Sequence, residues 1–124
     1  MSNAEFVARG VQAAKEFMER RGYEIQDVNW ECEAGQIDLA ALDDDGTLVL
    51  AEVMTRKFTN NGFASDAVTS QKRDRLERLA AFYLKEHDFI DCRVRFDTLS
   101  LLVVDDGKAF LRHHINAFGG DPID

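Results

Sequence analysis

The sequence has few cysteines and no long apolar run, and both absences restrict the classes of protein to which it can belong. The two cysteines, Cys32 and Cys92, do not make a disulfide framework, and the lone pair lacks the spacing of metal ligands. We therefore expect reduced thiols that act as small buried hydrophobes in a cytoplasmic protein. No stretch approaches the ~18 apolar residues of a membrane helix, and the N-terminus lacks the basic-then-apolar plan of a secretory signal.

Excess positive charge is also absent, since the net charge is −8. A protein that coats nucleic acid generally needs a basic face, so this class is disfavoured. The charge is unevenly distributed, however, because residues 54–78 carry six basic and three acidic side chains. That segment is therefore +3 and the rest of the chain −11. Such a segment is either the solvated face of a helix or a local surface for phosphate groups, and both interpretations stay open.

What the chain does contain is apolar residues in helical and strand-like patterns, enough for one domain over residues 1–124. The patterns predict helices over Ala4–Arg21 and from Ser65 or Asp66 to about Glu86. Five strands are predicted at Tyr23–Glu33, Gln36–Leu42, Thr47–Arg56, Arg93–Val104 and Ala109–His114, with loop from Asn116 onward. The order α-β-β-β-α-β-β predicts an α/β fold with one mixed sheet. Residues 48–51 are apolar on both faces, so we expect their strand to be covered on both sides.

The hairpin of the second and third strands is the most informative feature. Asp44-Asp45-Gly46 fits a three-residue loop that ends in a glycine with positive φ, which pairs Asp43 with Thr47. Counting back places Asp38 opposite Glu52. Two opposed carboxylates repel one another unless protons or a cation compensate. Mg²⁺, for which Mn²⁺ can substitute, is a suitable cation because it takes one or two carboxylates plus phosphate oxygens. The alternative is that both acids lie at strand ends and face solvent.

Five short motifs follow one another along the chain. They are Gly35-Gln36-Ile37-Asp38-Leu39, Glu52-Val53-Met54-Thr55-Arg56, Lys72-Arg73, Arg95-Phe96-Asp97 and Asn116-Ala117-Phe118. Taken in this order, and over nearly the whole chain, they resemble the YraN family, which is placed in the PD-(D/E)XK nuclease superfamily. The resemblance implies a restriction-endonuclease-like fold, a metal site at Asp38 and Glu52, and DNA or RNA as the partner.

Three positions depart from the pattern of that family. Gln36 and Val11 stand where the family has Glu, and Met54 stands where the strand motif has Lys. In active members of the superfamily, that lysine is thought to position or deprotonate the attacking water and to offset negative charge. A thioether has neither a charge nor a donor, so Met54 cannot do this.

Two lysines are candidates to replace the one missing at Met54. Lys57 follows on the same strand but has the opposite parity, so it is expected to point away. Lys72 lies four residues from both Val68 and Leu76 on the apolar stripe of the second helix, and is expected to face the sheet. The alternative for Lys72 is a side chain that extends along the helix to water.

The remaining polar residues fit structural roles better. Asp97 is expected to pair with Arg95. His113 and His114 are adjacent on a strand and point to opposite faces, so they do not make a metal-binding pair.

The sequence therefore predicts a nucleic-acid-binding protein with a nuclease-like fold, whose catalysis depends on a replacement for the missing lysine. Two alternatives stay open: an active Mg²⁺-dependent endonuclease that uses Lys72, and a silent protein-interaction domain. The candidate catalytic residues are Asp38, Glu52 and Lys72, the first two being the metal ligands. The candidate contacts to nucleic acid are Arg56, Lys57, Lys72, Arg73 and Arg75.

Overall fold

The computed structural model describes residues 2–58, 70–88, 92–105 and 107–117. The elements are α1 (Asn3–Arg20), β1 (Glu24–Cys32), β2 (Gly35–Leu42), β3 (Leu48–Lys57), α2 (Ser70–His87), β4 (Val94–Asp105) and β5 (Lys108–His114). Their order is the predicted one, and each predicted end that falls on described residues is correct to within one residue. Residues 65–68, with the predicted helix cap and Val68, lie outside the described residues, as does the tail from 118 onward. No helix of the described residues is both long and apolar enough to cross a membrane.

The five strands form one mixed sheet in the order β1-β2-β3-β4-β5. β3 and β4 run parallel, with α2 in the connection between them, and the other neighbouring strands are antiparallel. This confirms the predicted α/β class with a mixed sheet. The arrangement is compatible with a restriction-endonuclease-like fold.

β3 separates two apolar clusters, one on each face of the sheet. Leu48 and Leu50 pack with α2, whereas Val49 and Ala51 pack with α1. The prediction that this strand is covered on both sides is therefore confirmed, and none of the four residues is more than 3% exposed. The α2 cluster includes Leu76, Leu79, Ala80 and Tyr83, and the α1 cluster includes Val11, Ala14 and Met18.

Helix α1 approaches β3 most closely at Gly10. A Cβ atom on Gly10 would lie 1.8 Å from Oγ1 of Thr55, so any larger residue would push the helix away from the strand. The next residue, Val11, is 4% exposed and belongs to the α1 cluster. The position at which the family has Glu is thus part of the apolar core in this chain.

The two cysteines are free and half-buried. Both pack against the α2 cluster. Cys32 ends β1, whereas Cys92 precedes β4 and is not in a strand. They therefore fill space at the edge of the core and are less buried than the sequence suggested.

Asp97 is the most buried carboxylate of the described residues and connects several elements. Its two oxygens accept hydrogen bonds from Nε of Arg95 (2.9 Å), Nε2 of His113 (2.8 Å) and the Asn116 amide (2.9 Å). Arg95 also donates to Asp43 at the hairpin turn (3.0 Å). Burial raises the pKa of Asp97, but the bonds from His113 and Arg95 outweigh it, so the pKa is lowered. The predicted pairing of Asp97 with Arg95 is confirmed, and these contacts stabilise the fold.

Candidate metal and phosphate site

The register of the β2–β3 hairpin follows from its turn. Gly46 has a φ of +86°, and the amide of Asp43 donates to the carbonyl of Thr47 at 2.9 Å. The paired residues run from Leu42–Leu48 to Leu39–Ala51, which confirms the predicted register. Asp38 and Glu52 occupy the next position of that register, just beyond the last pair.

β2 and β3 separate at Asp38. Among the described strands, β3 pairs beyond Ala51 with β4 alone. Oδ2 of Asp38 accepts the amide hydrogen of Val53 at 2.8 Å, so this carboxylate takes the place of a backbone partner. On the other side of β2, Asn29 of β1 lies opposite Asp38 in the register. Its φ of +53° interrupts the regular extended backbone of β1.

The separation of the strands opens a cleft of about 210 Å³ against helix α2. Its floor and walls come from β2, β3 and one side of α2. The lining residues are Gln36, Ile37, Asp38, Leu50, Ala51, Glu52, Arg75 and Leu76. Both candidate metal ligands therefore line the same cleft.

Lys72 contacts Glu52 at this cleft. Its Nζ atom lies 2.8 Å from Oε2 of Glu52, and the two side chains are 25% and 28% exposed. Oε2 of Glu52 is shielded from solvent and accepts no hydrogen bond of ordinary geometry from the described residues. The ammonium group of Lys72 therefore compensates the negative charge of Glu52 as an ion pair. The prediction that Lys72 faces the sheet is confirmed.

The surroundings of Asp38 disfavour the ionised form of its carboxyl group, mainly because the group is buried. Burial raises the pKa of Asp38, and the charge of Glu52 raises it further. The hydrogen bond from Val53 and the charge of Arg75 lower the pKa, but they do not outweigh the other two effects. A cation placed between the two carboxylates would relieve this strain.

The three departures from the family pattern lie in different surroundings. Gln36 lines the cleft and donates a hydrogen bond from Nε2 to Oδ1 of Asn29 at 3.0 Å. Met54 is half-buried and follows Glu52 by two positions on β3, so it lies on the same face of the sheet. Val11 packs on the opposite face, in the α1 cluster. A positive charge is thus missing from β3 at Met54, whereas α2 provides one through Lys72.

The five basic residues predicted to contact nucleic acid do not form one patch. Arg75 lines the cleft and Lys72 pairs with Glu52. Arg73 pairs with Glu77 along α2 at 3.1 Å. Lys57 lies on the α1 side, with Nζ 5.7 Å from the ring centre of Phe6, which confirms that it points away from the cleft. Arg56 is exposed near the end of β3.

One polar neighbour of Glu52 was not found from the sequence. Thr98 is the partner of Glu52 in the parallel β3–β4 register and is 2% exposed. Its Oγ1 atom has no hydrogen-bond partner among the described residues. No turn joins β3 directly to β4, so counting along the chain could not reveal this pair.

Comparisons with known proteins identify the family. The model of the family described as "Uncharacterised protein family UPF0102" matches residues 10–101, a range that includes the cleft. A UPF0102 protein of Renibacterium salmoninarum is 38% identical over 104 residues, which cover 84% of this chain and 87% of the relative. A UPF0102 protein of Syntrophomonas wolfei is 36% identical over 116 residues, which cover 94% and 99%. The chain therefore belongs to the UPF0102 family, which is the YraN family that its motifs resemble.

Proposed function

We propose that this protein binds nucleic acid and hydrolyses phosphodiester bonds at the Asp38–Glu52 cleft, with Lys72 in place of the lysine missing from β3. The observation that carries the proposal is the 2.8 Å distance between Nζ of Lys72 and Oε2 of Glu52. This contact places an ammonium group beside the two carboxylates. The strand motif of the family provides the same combination through a lysine, and Met54 replaces that lysine in this chain.

The chemistry of the cleft fits a divalent cation. Asp38 and Glu52 are hard oxygen ligands, and Mg²⁺ is held in proteins by one or two carboxylates together with water and phosphate oxygens. Oε2 of Glu52 is shielded and accepts no ordinary hydrogen bond from the described residues. The raised pKa of Asp38 has the charge of Glu52 among its causes. A bound cation would lower the pKa of a water molecule and neutralise charge on the phosphate.

The residues of this chain have distinct tasks in the proposed reaction. The amide of Val53 holds the Asp38 carboxylate in a fixed orientation through Oδ2. Lys72 donates a hydrogen bond to a non-bridging phosphate oxygen and stabilises the charge that develops there. Arg75, exposed at the cleft, attracts the phosphate backbone. Residues 54–78 have a net charge of +3 in a chain of net charge −8, which favours phosphate binding in this region.

A second candidate function is nucleic-acid binding without cleavage. The same ion pair favours it, since Lys72 compensates Glu52 without any metal ion. Gln36 and Met54 also remove a carboxylate and an ammonium group from positions at or beside the cleft. In this case the cleft recognises a phosphate group, and the family chemistry has been lost.

A cleavage assay separates the two functions. Branched, single-stranded and duplex substrates are incubated with Mg²⁺ or Mn²⁺ and with the wild type, Glu52→Gln, Lys72→Met or Lys57→Met. Lys57 is the matched control, because it is a lysine of the same region that lies on the opposite face of the sheet. Under the proposed function, Glu52→Gln and Lys72→Met lose at least a hundredfold in rate, whereas Lys57→Met retains the wild-type rate.

The variant Met54→Lys completes the experiment. If the wild type shows no cleavage above that of Glu52→Gln, but Met54→Lys cleaves in a metal-dependent manner, the cleft is intact and the binding function applies. If neither protein cleaves and neither binds any of the three substrates, both functions are wrong.

A further inference from the structure

The face of the sheet that carries Glu52 continues beyond the cleft across β4 and β5. The register places Glu52, Thr98 and His114 in one row across the three strands. Leu50 and Phe96, which precede Glu52 and Thr98 by two positions, both pack with α2, so this is the α2 side of the sheet.

Two further rows follow in the same direction. The first comprises Met54, Ser100 and Arg112. The second comprises Arg56, Leu102 and Phe110. These nine positions extend from the cleft to the edge strand β5. The three on β4 (Thr98, Ser100 and Leu102) are at most 9% exposed, so the accessible part of this surface lies on β3 and β5.

The charge of this surface differs from that of the whole chain. The nine residues include two arginines, Arg56 and Arg112, but only one acid, Glu52, in a protein of net charge −8. Arg56 and Arg112 are exposed, and His114 is half-buried. A positive surface next to a candidate phosphate site is complementary to a polyanion that crosses both.

An exposed aromatic ring lies within the same surface. Phe110 is 63% exposed, which makes it the most exposed large apolar residue among the described residues. Strands in a sheet are ~4.8 Å apart, and four residues along a strand span ~13 Å, so Phe110, which is two strands and four residues away, lies roughly 16 Å from Glu52. That distance corresponds to about five nucleotides at the ~3.4 Å spacing of a strand.

We propose that this surface, defined by Arg56, Phe110, Arg112 and His114, binds single-stranded nucleic acid and guides it into the cleft. The proposal rests on the proposed function and specifies its substrate class. Aromatic side chains stack on unpaired bases of any sequence, whereas the faces of bases in a duplex are already stacked. Arg56 and Arg112 contact the phosphates of the strand whose base stacks on Phe110.

Fluorescence anisotropy with the full chain tests this proposal. The probes are a labelled 20-nucleotide single strand and a duplex of the same sequence, both in chelator so that no cleavage occurs. The variants are Phe110→Ala and Arg112→Ala. The control for Phe110→Ala is Val7→Ala, which removes an apolar side chain that is 46% exposed on α1. The control for Arg112→Ala is Arg20→Ala, which removes an exposed arginine, also on α1.

The wild type is expected to bind the single strand more tightly than the duplex. Phe110→Ala should weaken single-strand binding about 5- to 140-fold, because stacking on one base contributes ~1–3 kcal/mol and 1.4 kcal/mol is a factor of ten. Arg112→Ala should reduce the slope of log affinity against log salt by ~0.7, the value for one phosphate contact with a single strand. Val7→Ala and Arg20→Ala should each stay within twofold of the wild type.

The outcomes that contradict the proposal are distinct from those that contradict nucleic-acid binding itself. If the wild type binds the duplex at least as tightly as the single strand, or Phe110→Ala behaves as Val7→Ala does, the single-strand surface is wrong and the proposed function stands. If the wild type binds neither probe, nucleic-acid binding is wrong and this inference fails with it.

Discussion

Nζ of Lys72 lies 2.8 Å from Oε2 of Glu52, which links helix α2 to strand β3 at the point where β2 separates from β3. The contact requires a lysine on the buried stripe of the helix, four residues before Leu76. A positive charge is therefore placed beside Glu52 although β3 carries Met54.

Loss of the lysine should destabilise the protein. In Lys72→Met the half-buried carboxylate of Glu52 loses its counter-ion, and we expect a fall of about 1–2 kcal/mol in the free energy of unfolding, between the values for exposed and buried pairs. Urea denaturation measures the change. Lys57→Met, the control on the other face, should change it by less than ~0.5 kcal/mol.

The double variant Glu52→Gln with Lys72→Met tests whether the two residues are coupled. Removing both charges should recover most of the loss, because no uncompensated carboxylate remains. Additive effects of the two substitutions would show that the ion pair contributes nothing to stability.

Divalent cations should stabilise the wild type. At a Mg²⁺ or Mn²⁺ concentration of about 100 times Kd, binding contributes ~2.7 kcal/mol, or roughly 10 °C in Tm for a chain of this size. Asp38→Asn and Glu52→Gln should abolish the shift in a thermal melt. Asp44→Asn is the control, since Asp43, Asp44 and Asp45 form an acidic group at the turn. A shift lost in Asp44→Asn and kept in Asp38→Asn would place the cation at the turn.

The network around Asp97 should make stability depend on pH in the acid range. Its pKa in the folded protein lies below the ordinary value of ~3.9, so its ionised form stabilises the fold above that pH. This contribution is lost as the pH falls through the lowered pKa. Asp97→Asn should cost about 3 kcal/mol at pH 7, because Arg95 is left without its buried partner.

The same variant should also flatten the acid part of the stability curve. Denaturant midpoints measured between pH 2 and pH 7 give the comparison. A wild-type curve with the same acid slope as Asp97→Asn would show that other carboxylates cause the loss of stability at low pH.

Replacing Thr98 by Val should stabilise the protein. Its hydroxyl is buried and has no hydrogen-bond partner among the described residues, and such a group costs about 1–3 kcal/mol. Valine keeps the β-branched shape without the hydroxyl, so we expect a gain of about 1 kcal/mol in urea denaturation. Thr98→Ser, which keeps the hydroxyl, should not be more stable than the wild type. A loss of stability in Thr98→Val would mean that the hydroxyl is bonded in solution.

The hairpin shows why part of the site could be predicted from the sequence. A three-residue loop ending in Gly46 determines which residues of β2 and β3 face each other, so Asp38 and Glu52 could be matched by counting. The direction of Lys72 followed in the same way, from its helical spacing to Leu76. Both predictions use local geometry, which the chain specifies within a few residues.

Other features of the site depend on contacts between distant segments. The parallel register that places Thr98 beside Glu52 is determined by packing across α2, not by a turn. The loss of β2–β3 pairing beyond Ala51 involves Asp38 and Val53, whose hydrogen bond no pattern of residue types predicts. The position of Phe110 and Arg112 on the same face of the sheet as the cleft likewise depends on the order and register of the strands, which no local pattern specifies.

The hydrogen bond between Asp38 and Val53 also occupies a backbone group at an open strand edge. Where β2 turns away, β3 would present unpaired backbone groups, and an open strand edge can recruit a strand from another molecule. The Asp38 carboxylate occupies the Val53 amide and places a negative charge on that edge, which repels a second chain of the same sequence. An acid at position 38 therefore closes a strand edge that a second chain could otherwise extend, whether or not the cleft performs any chemistry.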